Sequence, residues 1–540
     1  MSKIAHAFAL LAPLLAPLHA PIAAAAEDDA DLGARIALQG TPKGVAPCMA
    51  CHGIDGAGME GTAYPRIAGL DARYMMKQLG DFRSGRRSNP VMMPMAVNLT
   101  DDEMAAVSAH YAALPVPEGA AEPPVDAAAK IASDLAQWGD WTGRGLPACA
   151  QCHAPGGNGV GASFPGIAGQ HASYIKAQLQ AWKTGTRAND PLGLMKAVAD
   201  RLTGAEVDAL AAYYAAQPGA APIPANIVPA TIDDAEVSAT EVRAGVVPDQ
   251  GAPSAGRAAG DGGFFRPPAR DALPDGVFGD VVREGQAIFK DTNARPGSSK
   301  YVGNGQACGN CHLDAGRLAG SAPLWAAWVA YPAYRSKNKK VNTYIERVQG
   351  CFEYSMNAQA SAAGGPPAAD SAAIVSLVAY SYWLASGAPT GDSTMPGRGF
   401  PRLTETEQGF DPRRGEPVYA AKCALCHGEA GAGVALPDGR TLFPPLWGAE
   451  SFNWGAGMHM IDTAAAFIKH NMPLGLGETL SDQEAWDLAA YVNSHERPQD
   501  PRYRGDLAAT TKEFHGGKLD YYGQRKAPDG SLLGERPAGK

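Results

Sequence analysis

The chain has 540 residues, a formal net charge of −9, 19% charged residues and 45% hydrophobic residues. At this length we expect about three to five domains of ordinary size. The acidic balance provides no basic surface for nucleic acid, so nucleic-acid binding is excluded.

Residues 1–26 have the pattern of a secretory signal peptide. Lys3 precedes an apolar run rich in Ala and Leu, and the small residues Ala24 and Ala26 fit a cleavage site. An uncleaved membrane anchor is the alternative, but prolines interrupt the run. No other segment approaches the roughly 20 apolar residues that a membrane span needs. The pattern predicts a periplasmic protein with no membrane span after signal cleavage.

The pattern Cys-x-x-Cys-His, the signature of covalent c-type haem attachment, occurs four times. In each copy the cysteines bind the porphyrin and the histidine is the proximal iron ligand. The copies are Cys48, Cys51 and His52; Cys149, Cys152 and His153; Cys308, Cys311 and His312; and Cys423, Cys426 and His427. One match alone could be a zinc half-site, but four matches predict four haem c groups. They use eight of the nine cysteines, so no pair is left for a disulfide, and Cys351 remains.

Residues 27–218 contain one monohaem pattern twice. The shared positions, at an offset near one hundred residues, are Pro65 to Gly69 with Pro165 to Gly169, Tyr74 with Tyr174, Gln78 and Leu79 with Gln178 and Leu179, and Gly85 to Arg87 with Gly185 to Arg187. The front of the chain is therefore predicted to be a duplicated domain.

One late amphipathic helix follows each haem motif. Thr100, Thr203 and Ser481 open three of these helices as capping boxes, in which a hydroxyl and a Glu three residues later satisfy free backbone amides. Asp370 or Ser371 opens the remaining one. A haem motif followed by such a helix is typical of class I cytochrome c domains. The sequence predicts an all-α fold of four such domains, arranged as two dihaem halves.

The segments between these patterns set the predicted boundaries. An Ala, Pro, Gly and Asp composition that cannot bury a core predicts the linker, and a polar C-terminal tail without periodicity is expected to wrap or fray. The predicted segments are a signal peptide (1–26), domains at 27–120 and 121–218, the linker (219–270), domains at 271–395 and 396–502, and the tail (503–540).

Methionines stand where the sixth iron ligand is expected in the two front domains. Met195 is the only methionine in the loop before Leu202, and the equivalent position of the first copy is Met92. Met93 and Met95 compete with it, since a methionine cluster is commonly core filler.

In the fourth domain the methionine at the equivalent position, shortly before the late helix, is Met472. Met458, His459 and Met460 lie too early in the sequence and are expected to line the haem edge or fill the core. The pattern predicts a third His/Met haem.

The domain around the third motif departs from this pattern. The first methionine after His312 is Met356, and the unpaired Cys351 lies five residues before it. Either side chain could be the distal ligand, and Cys351 could also be a small buried hydrophobe. A thiolate ligand would lower the haem potential and would place a nucleophile beside a redox centre.

A cationic cluster precedes Cys351 in this otherwise acidic chain and includes Arg335, Lys337, Lys340 and Arg347. A charge run is commonly a solvated face, but fixed cations beside a haem would gather a small dianion. These residues indicate an anionic, sulfur-reactive substrate.

Residues 275–502 resemble the dihaem thiosulfate dehydrogenases. The resemblance rests on Asn-Cys-His-Leu-Asp-Ala-Gly ending at Gly316, Cys-Phe-x-Tyr-Ser-Met-Asn from Cys351, Phe-Pro-Pro-Leu-Trp-Gly from Phe443 and Asn-Met-Pro from Asn471. Residues 27–218 resemble dihaem cytochromes of the c4 type, which serve that family as electron acceptors. The chain therefore looks like a fusion of the two proteins.

The resemblance implies that two thiosulfates are joined to tetrathionate with release of two electrons, a reaction that such enzymes also run in reverse. It implies that Cys351 is the distal ligand of the catalytic haem and that Arg347 and Ser355 contact substrate. Arg335 and Lys337 are further candidates for substrate contact. Electrons would pass to the fourth haem, then to the front pair, and then to a downstream periplasmic or membrane acceptor.

Some family members carry Lys at the position of Asn471, where it competes for the iron, so Asn here favours Met472 as the ligand. Two other functions stay open. One is a non-enzymatic tetrahaem electron-transfer cytochrome, and the other is a sulfur carrier that uses Cys351.

Overall fold

The computed structural model describes residues 32–117, 126–225, 263–527 and 530–539. The expected signal peptide and most of the expected linker lie outside these residues. Around each haem motif the described chain forms its own apolar core, and we refer to these regions as the first to fourth domains. Among the described residues, no helix has both the length and the apolar character needed to cross a membrane.

The two front domains are helical. The first domain has helices at 32–39, Met49–His52, Ala72–Arg83, Met92–Val97 and Asp101–Ala113. The second has α-helices at Ala127–Gln137, Trp141–Arg144, Ala150–His153, Ala172–Thr184, Leu194–Arg201 and Gly204–Ala215, and 3₁₀ turns at Pro155–Gly157 and Pro191–Gly193.

The third domain combines helices with a β-ladder. Its α-helices are Gly276–Lys290, Leu313–Gly316, Leu324–Val329, Tyr344–Gly350 and Ala372–Leu384, with 3₁₀ turns at Ser299–Tyr301, Cys308–Asn310 and Ala358–Ala360. The strands Ala333–Arg335 and Lys340–Asn342 pair antiparallel. A π-helical turn, Cys351–Ser355, directly continues the helix that ends at Gly350.

The fourth domain has the same mixed character. Its α-helices are Pro412–Lys422, Ala424–His427, Ile461–Asn471, Asp482–Asn493 and Leu507–Phe514, with a 3₁₀ turn at Gly457–His459. The strands Val434–Ala435 and Thr441–Phe443 form a second antiparallel ladder. The predicted helical fold is confirmed, but two loops also close into short β-hairpins, which helix periodicity does not reveal.

The predicted helix starts are confirmed. Thr100, Thr203 and Ser481 each accept a hydrogen bond from the amide three residues later, and the paired Glu bonds back to the cap. Ser371, not Asp370, caps the late helix of the third domain. A further capping box at Thr343 opens the helix that leads to Cys351, and it was not predicted.

The front domains pack through residues that the sequence repeat shares. Arg87 donates to the Tyr174 hydroxyl at 2.7 Å, and Arg187 donates to the Tyr74 hydroxyl at 3.3 Å. The two arginines also form an antiparallel backbone bridge, and both are buried. Each front domain thus contributes one arginine that bonds to a tyrosine of the other domain.

The second domain also packs on the fourth. Val160 and Phe164 form one apolar cluster with Val434 and Phe443 of the fourth-domain hairpin. The rings of Phe164 and Phe443 have centroids 5.2 Å apart. This contact joins the predicted acceptor half to the predicted dehydrogenase half.

The described part of the C-terminal tail is built into the fourth domain and does not fray. Tyr522 and Leu533 are fully buried and belong to the same core cluster as Trp454 and Trp486. Single large apolar residues in a polar segment produce no periodic pattern, which is why the sequence did not reveal this packing.

Candidate haem and substrate sites

All four motif histidines are oriented in the same way. The Nδ1 atoms of His52, His153 and His427 lie 3.0, 2.8 and 2.8 Å from the carbonyl oxygens of Pro65, Pro165 and Pro444. His312 makes the equivalent bond at 2.6 Å to Ala322. A bond at Nδ1 fixes the tautomer in which Nε2 is free to bind a metal.

The motif backbones have a common geometry as well. In each motif the histidine amide donates to the carbonyl of the first cysteine four residues earlier, at 2.9 to 3.1 Å. This turn brings both cysteines and the imidazole to one side of the chain. Burial lowers the pKa of His312 to about 4, so its imidazole is neutral, as ligation requires. These residues fit covalent haem c.

The two front motifs open into one shared cavity of about 2630 Å³. Met92 and Met195, the two predicted distal ligands, both line it. Met95 also lines it, but its sulfur accepts a hydrogen bond from the Ala46 amide at 3.3 Å. Met93 is not part of the lining and contacts the Ser88 hydroxyl instead, at 3.9 Å. This arrangement favours Met92 over its two neighbours.

In the fourth domain Met472 lies at the end of the helix Ile461–Asn471 and is half-buried. His459 is buried and occupied elsewhere, since its Nε2 lies 2.8 Å from Asp520 and its Nδ1 faces the Ala456 carbonyl. His459 therefore belongs to a polar network with the tail and not to the haem edge.

The third domain separates its two candidate ligands. Met356 is 3% exposed and packs in the core cluster with Phe352 and Trp325. Cys351 is half-buried at the start of the π-helical turn. Burial and then the charge of Cys351 raise the pKa of the Cys311 thiol to about 11, so Cys351 lies within electrostatic range of the third motif.

Arg347 is bonded to Cys351. Its Nη1 donates to Cys351 Sγ at 3.0 Å, and the two residues are one helical turn apart. The charge of Cys351 is the main cause that raises the pKa of Arg347. Ser355 is the last residue of the π-helical turn that begins at Cys351, so its hydroxyl group lies on the same segment as the cysteine.

Arg335 and Lys337 lie on the short hairpin beside this turn. Burial lowers the pKa of Arg335, and the charge of Arg347 lowers it further. Burial, followed by the charges of Arg502, Arg347 and Arg335, lowers the pKa of Lys337 to about 7. Arg335, Lys337 and Arg347 are therefore close enough for their charges to interact, whereas Lys340 is exposed and pairs with Glu346 at 3.0 Å.

Lys337 has a defined position in this cluster. Its ammonium group donates to the Gly455 carbonyl and lies 3.7 Å from the centre of the Tyr354 ring. Arg502 is a fourth cation, which the sequence did not reveal, and it lies 5.5 Å from the same ring. Its Nη1 donates to the Lys337 carbonyl at 3.4 Å.

A buried network anchors Arg502. Its Nη2 donates to Asp500 at 2.6 Å, and His515 bridges Asp500 and Asp520 at 2.8 and 2.7 Å. Hydrogen bonds from His515 and Arg502 contribute to holding the pKa of Asp500 well below its usual range, against the effect of burial. Arg502 is far from Cys351 in the sequence, so the residues around Cys351 gave no indication of this cation.

Comparisons with known proteins agree with this geometry. Residues 43–114 and 143–216 match the family model of cytochrome c, and residues 410–492 match that of cytochrome c oxidase, cbb3-type, subunit III. A thiosulfate dehydrogenase from Stutzerimonas stutzeri is 54% identical over 283 residues, which is 52% of this chain and 88% of the relative. This chain belongs to the thiosulfate dehydrogenase family.

The front half has its own relatives. A thiosulfate dehydrogenase electron acceptor from the same organism is 51% identical over 168 residues, which is 31% of this chain and 77% of the relative. The solved thiosulfate dehydrogenase TsdBA from Marichromatium purpuratum is 48% identical, with a TM-score of 0.82, and covers 94% of this chain and 100% of its own. Dehydrogenase and acceptor cytochrome are therefore joined in this chain, as the sequence predicted.

Proposed function

We propose that this chain is a periplasmic tetrahaem enzyme that oxidises two thiosulfates to one tetrathionate at the third haem. The observation that carries the proposal is the bond between Arg347 and Cys351 Sγ within a cluster of half-buried cations. One S–S bond forms between the sulfane sulfurs of two thiosulfate dianions. The two electrons that this coupling releases leave tetrathionate as a single dianion. The same site supports the reverse reaction.

Cys308, Cys311, His312 and Cys351 would hold the catalytic haem, which when bound supplies the electron acceptor for this step. The protein must overcome the repulsion between two dianions. Arg347, Arg335 and Lys337 offset that repulsion, and their partial burial strengthens the attraction between each cation and a bound anion. Ser355 is assigned a hydrogen bond to a sulfonate oxygen. Holding both anions also supplies the proximity that a bimolecular coupling needs.

The order of the carriers follows from contacts between attachment motifs. Cys152 and Cys426 pack against the same apolar cluster, and after burial the charge of Cys152 is the next cause that raises the pKa of Cys426. The Thr441 hydroxyl donates to the Gly305 carbonyl at 2.7 Å, which ties the third motif to the hairpin after the fourth. We assign the order third, fourth, second and first haem, with His/Met ligation by Met472, Met195 and Met92.

Anaerobic mixing of the oxidised four-haem protein with thiosulfate tests the proposal. We expect reduction of the haem absorbance bands and one tetrathionate for every two thiosulfates consumed. An electron-transfer cytochrome without this activity would not be reduced by thiosulfate, and a sulfur carrier would take up sulfur without forming tetrathionate. Absence of tetrathionate would therefore contradict the proposal.

The affinity for thiosulfate is expected to depend on the charge of Lys337. Its pKa is lowered to about 7, so the ammonium is charged below that pH and loses its charge as the pH rises through it. Thiosulfate remains a dianion over this range. We expect the KM for thiosulfate to rise about tenfold between the acidic and the alkaline side of this pKa.

Lys337→Arg is the matched variant, because a guanidinium stays charged throughout. Its KM should stay level as the pH rises. Steady-state kinetics across the pH range measure both proteins, and a KM that is flat in the unchanged protein would exclude a role for Lys337 in attracting substrate.

A further inference from the structure

The loop that follows the haem motif has the same backbone course in both front domains. The Gly58 amide donates to the His52 carbonyl at 2.8 Å, and the Gly159 amide donates to the His153 carbonyl at the same distance. One residue further on, the Met59 amide bonds to Tyr64 just as the Val160 amide bonds to Phe164. Met59 and Val160 are therefore equivalent positions beside their haem motifs.

In the second domain this face is an interface. Val160 is completely buried and Phe164 is 6% exposed, and both pack with the fourth-domain hairpin. The same cluster contains Cys152 and Cys426, the second cysteines of their motifs. The face thus receives another c-type haem domain, motif against motif.

In the first domain the equivalent face is exposed. Ile54 is 68% exposed and Met59 is 40% exposed, although both are large apolar side chains. The second domain bonds to the backbone of this loop, where His171 Nε2 lies 2.9 Å from the Ala57 carbonyl and Ser173 donates to the Thr62 carbonyl. The charged residues that directly follow Ile54 and Met59 in the sequence, Asp55 and Glu60, are exposed as well.

We propose that the face formed by Ile54 and Met59 beside Cys51 is the electron exit surface, and that its partner is a c-type cytochrome that presents its own haem-attachment motif. The occupant is inferred from the second copy of the face, which holds such a motif within the chain. The inference rests on the proposed function only in taking the first haem as the last carrier.

An apolar contact suits this role. Two exposed apolar patches approach without stripping water from charged groups, so a short distance between carriers is reached at little desolvation cost. The patch is small, which gives the weak and rapidly exchanging contact typical of electron-transfer partners.

The test uses the full four-haem protein reduced with dithionite, so that it does not depend on thiosulfate chemistry. After removal of the excess reductant, the protein is mixed by stopped flow with oxidised mitochondrial cytochrome c. In the double variant Ile54→Gln/Met59→Gln we expect the second-order rate of electron transfer to fall about tenfold through lost apolar contact, with the net charge unchanged.

The matched control is Ile131→Gln/Val277→Gln, which alters two exposed apolar residues on the second and third domains. It should react as fast as the unchanged protein, and both variants should react normally with ferricyanide, which needs no docking surface.

An unchanged rate in the Ile54/Met59 variant would overturn the proposal, as would an equal loss in the control. A dimer that dissociates only in the Ile54/Met59 variant would instead assign the face to a second copy. A failure of thiosulfate to reduce the haems would be a separate result that concerns the proposed function.

Discussion

Replacing Cys351 with glycine is expected to abolish thiosulfate oxidation while all four haems stay attached. In the proposed mechanism Cys351 is the sulfur ligand of the third haem beside the cationic cluster, and without it the coupling loses its sulfur-reactive group. We expect the rate to fall by at least about a thousandfold. Steady-state oxidation of thiosulfate, with haem counted by the pyridine method, measures both parts of the prediction.

Met356→Leu is the matched control for this variant. Leucine fills nearly the same volume in the core, so the change should cost about 1 kcal/mol of folding free energy and leave activity largely intact. Electron paramagnetic resonance of the third haem should change in Cys351→Gly and not in Met356→Leu. The opposite pattern would assign the sixth ligand to Met356.

Arg347→Gln is expected to lower kcat/KM for thiosulfate by about 10²- to 10³-fold. The variant loses the guanidinium that donates to Cys351 Sγ and leaves both the thiolate and the incoming dianion without their nearest cation. Arg347→Lys keeps the charge but loses the planar fork, so it should recover only part of the activity.

Arg283→Gln is the control for the loss of one positive charge. Arg283 lies on the surface and pairs with Asp280, a contact worth about 0–1 kcal/mol. Its kcat/KM should match that of the unchanged protein. If Arg347→Gln behaved like Arg283→Gln, with its haem spectrum intact, the cationic cluster would not act on the substrate.

Local sequence signals predicted what depends on neighbours in the chain. The four haem motifs and the capping boxes at Thr100, Thr203 and Ser481 each lie within a few residues of the chain. In each case, all the residues that make the predicted contact lie within the motif itself. The repeat likewise fixes the spacing from which Met92 and Met195 are predicted as ligands.

Contacts between distant segments could not be predicted in this way. Arg502 reaches the Lys337 hairpin only because His515 and Asp520 hold its partner Asp500 in place. None of these residues carries a local pattern. The two β-hairpins and the buried aromatic residues of the tail depend likewise on packing across domains.

The reciprocal hydrogen bonds of Arg87 and Arg187 make the contact between the two front domains symmetric. Each arginine bonds to the tyrosine of the other copy, so the contact is isologous, like the interface of a symmetric homodimer. Two identical monohaem chains could therefore form the same contact as a dimer. Because each of these arginines and tyrosines depends on a partner in the other copy, we expect substitutions at Arg87, Tyr174, Arg187 and Tyr74 to have non-additive effects on stability.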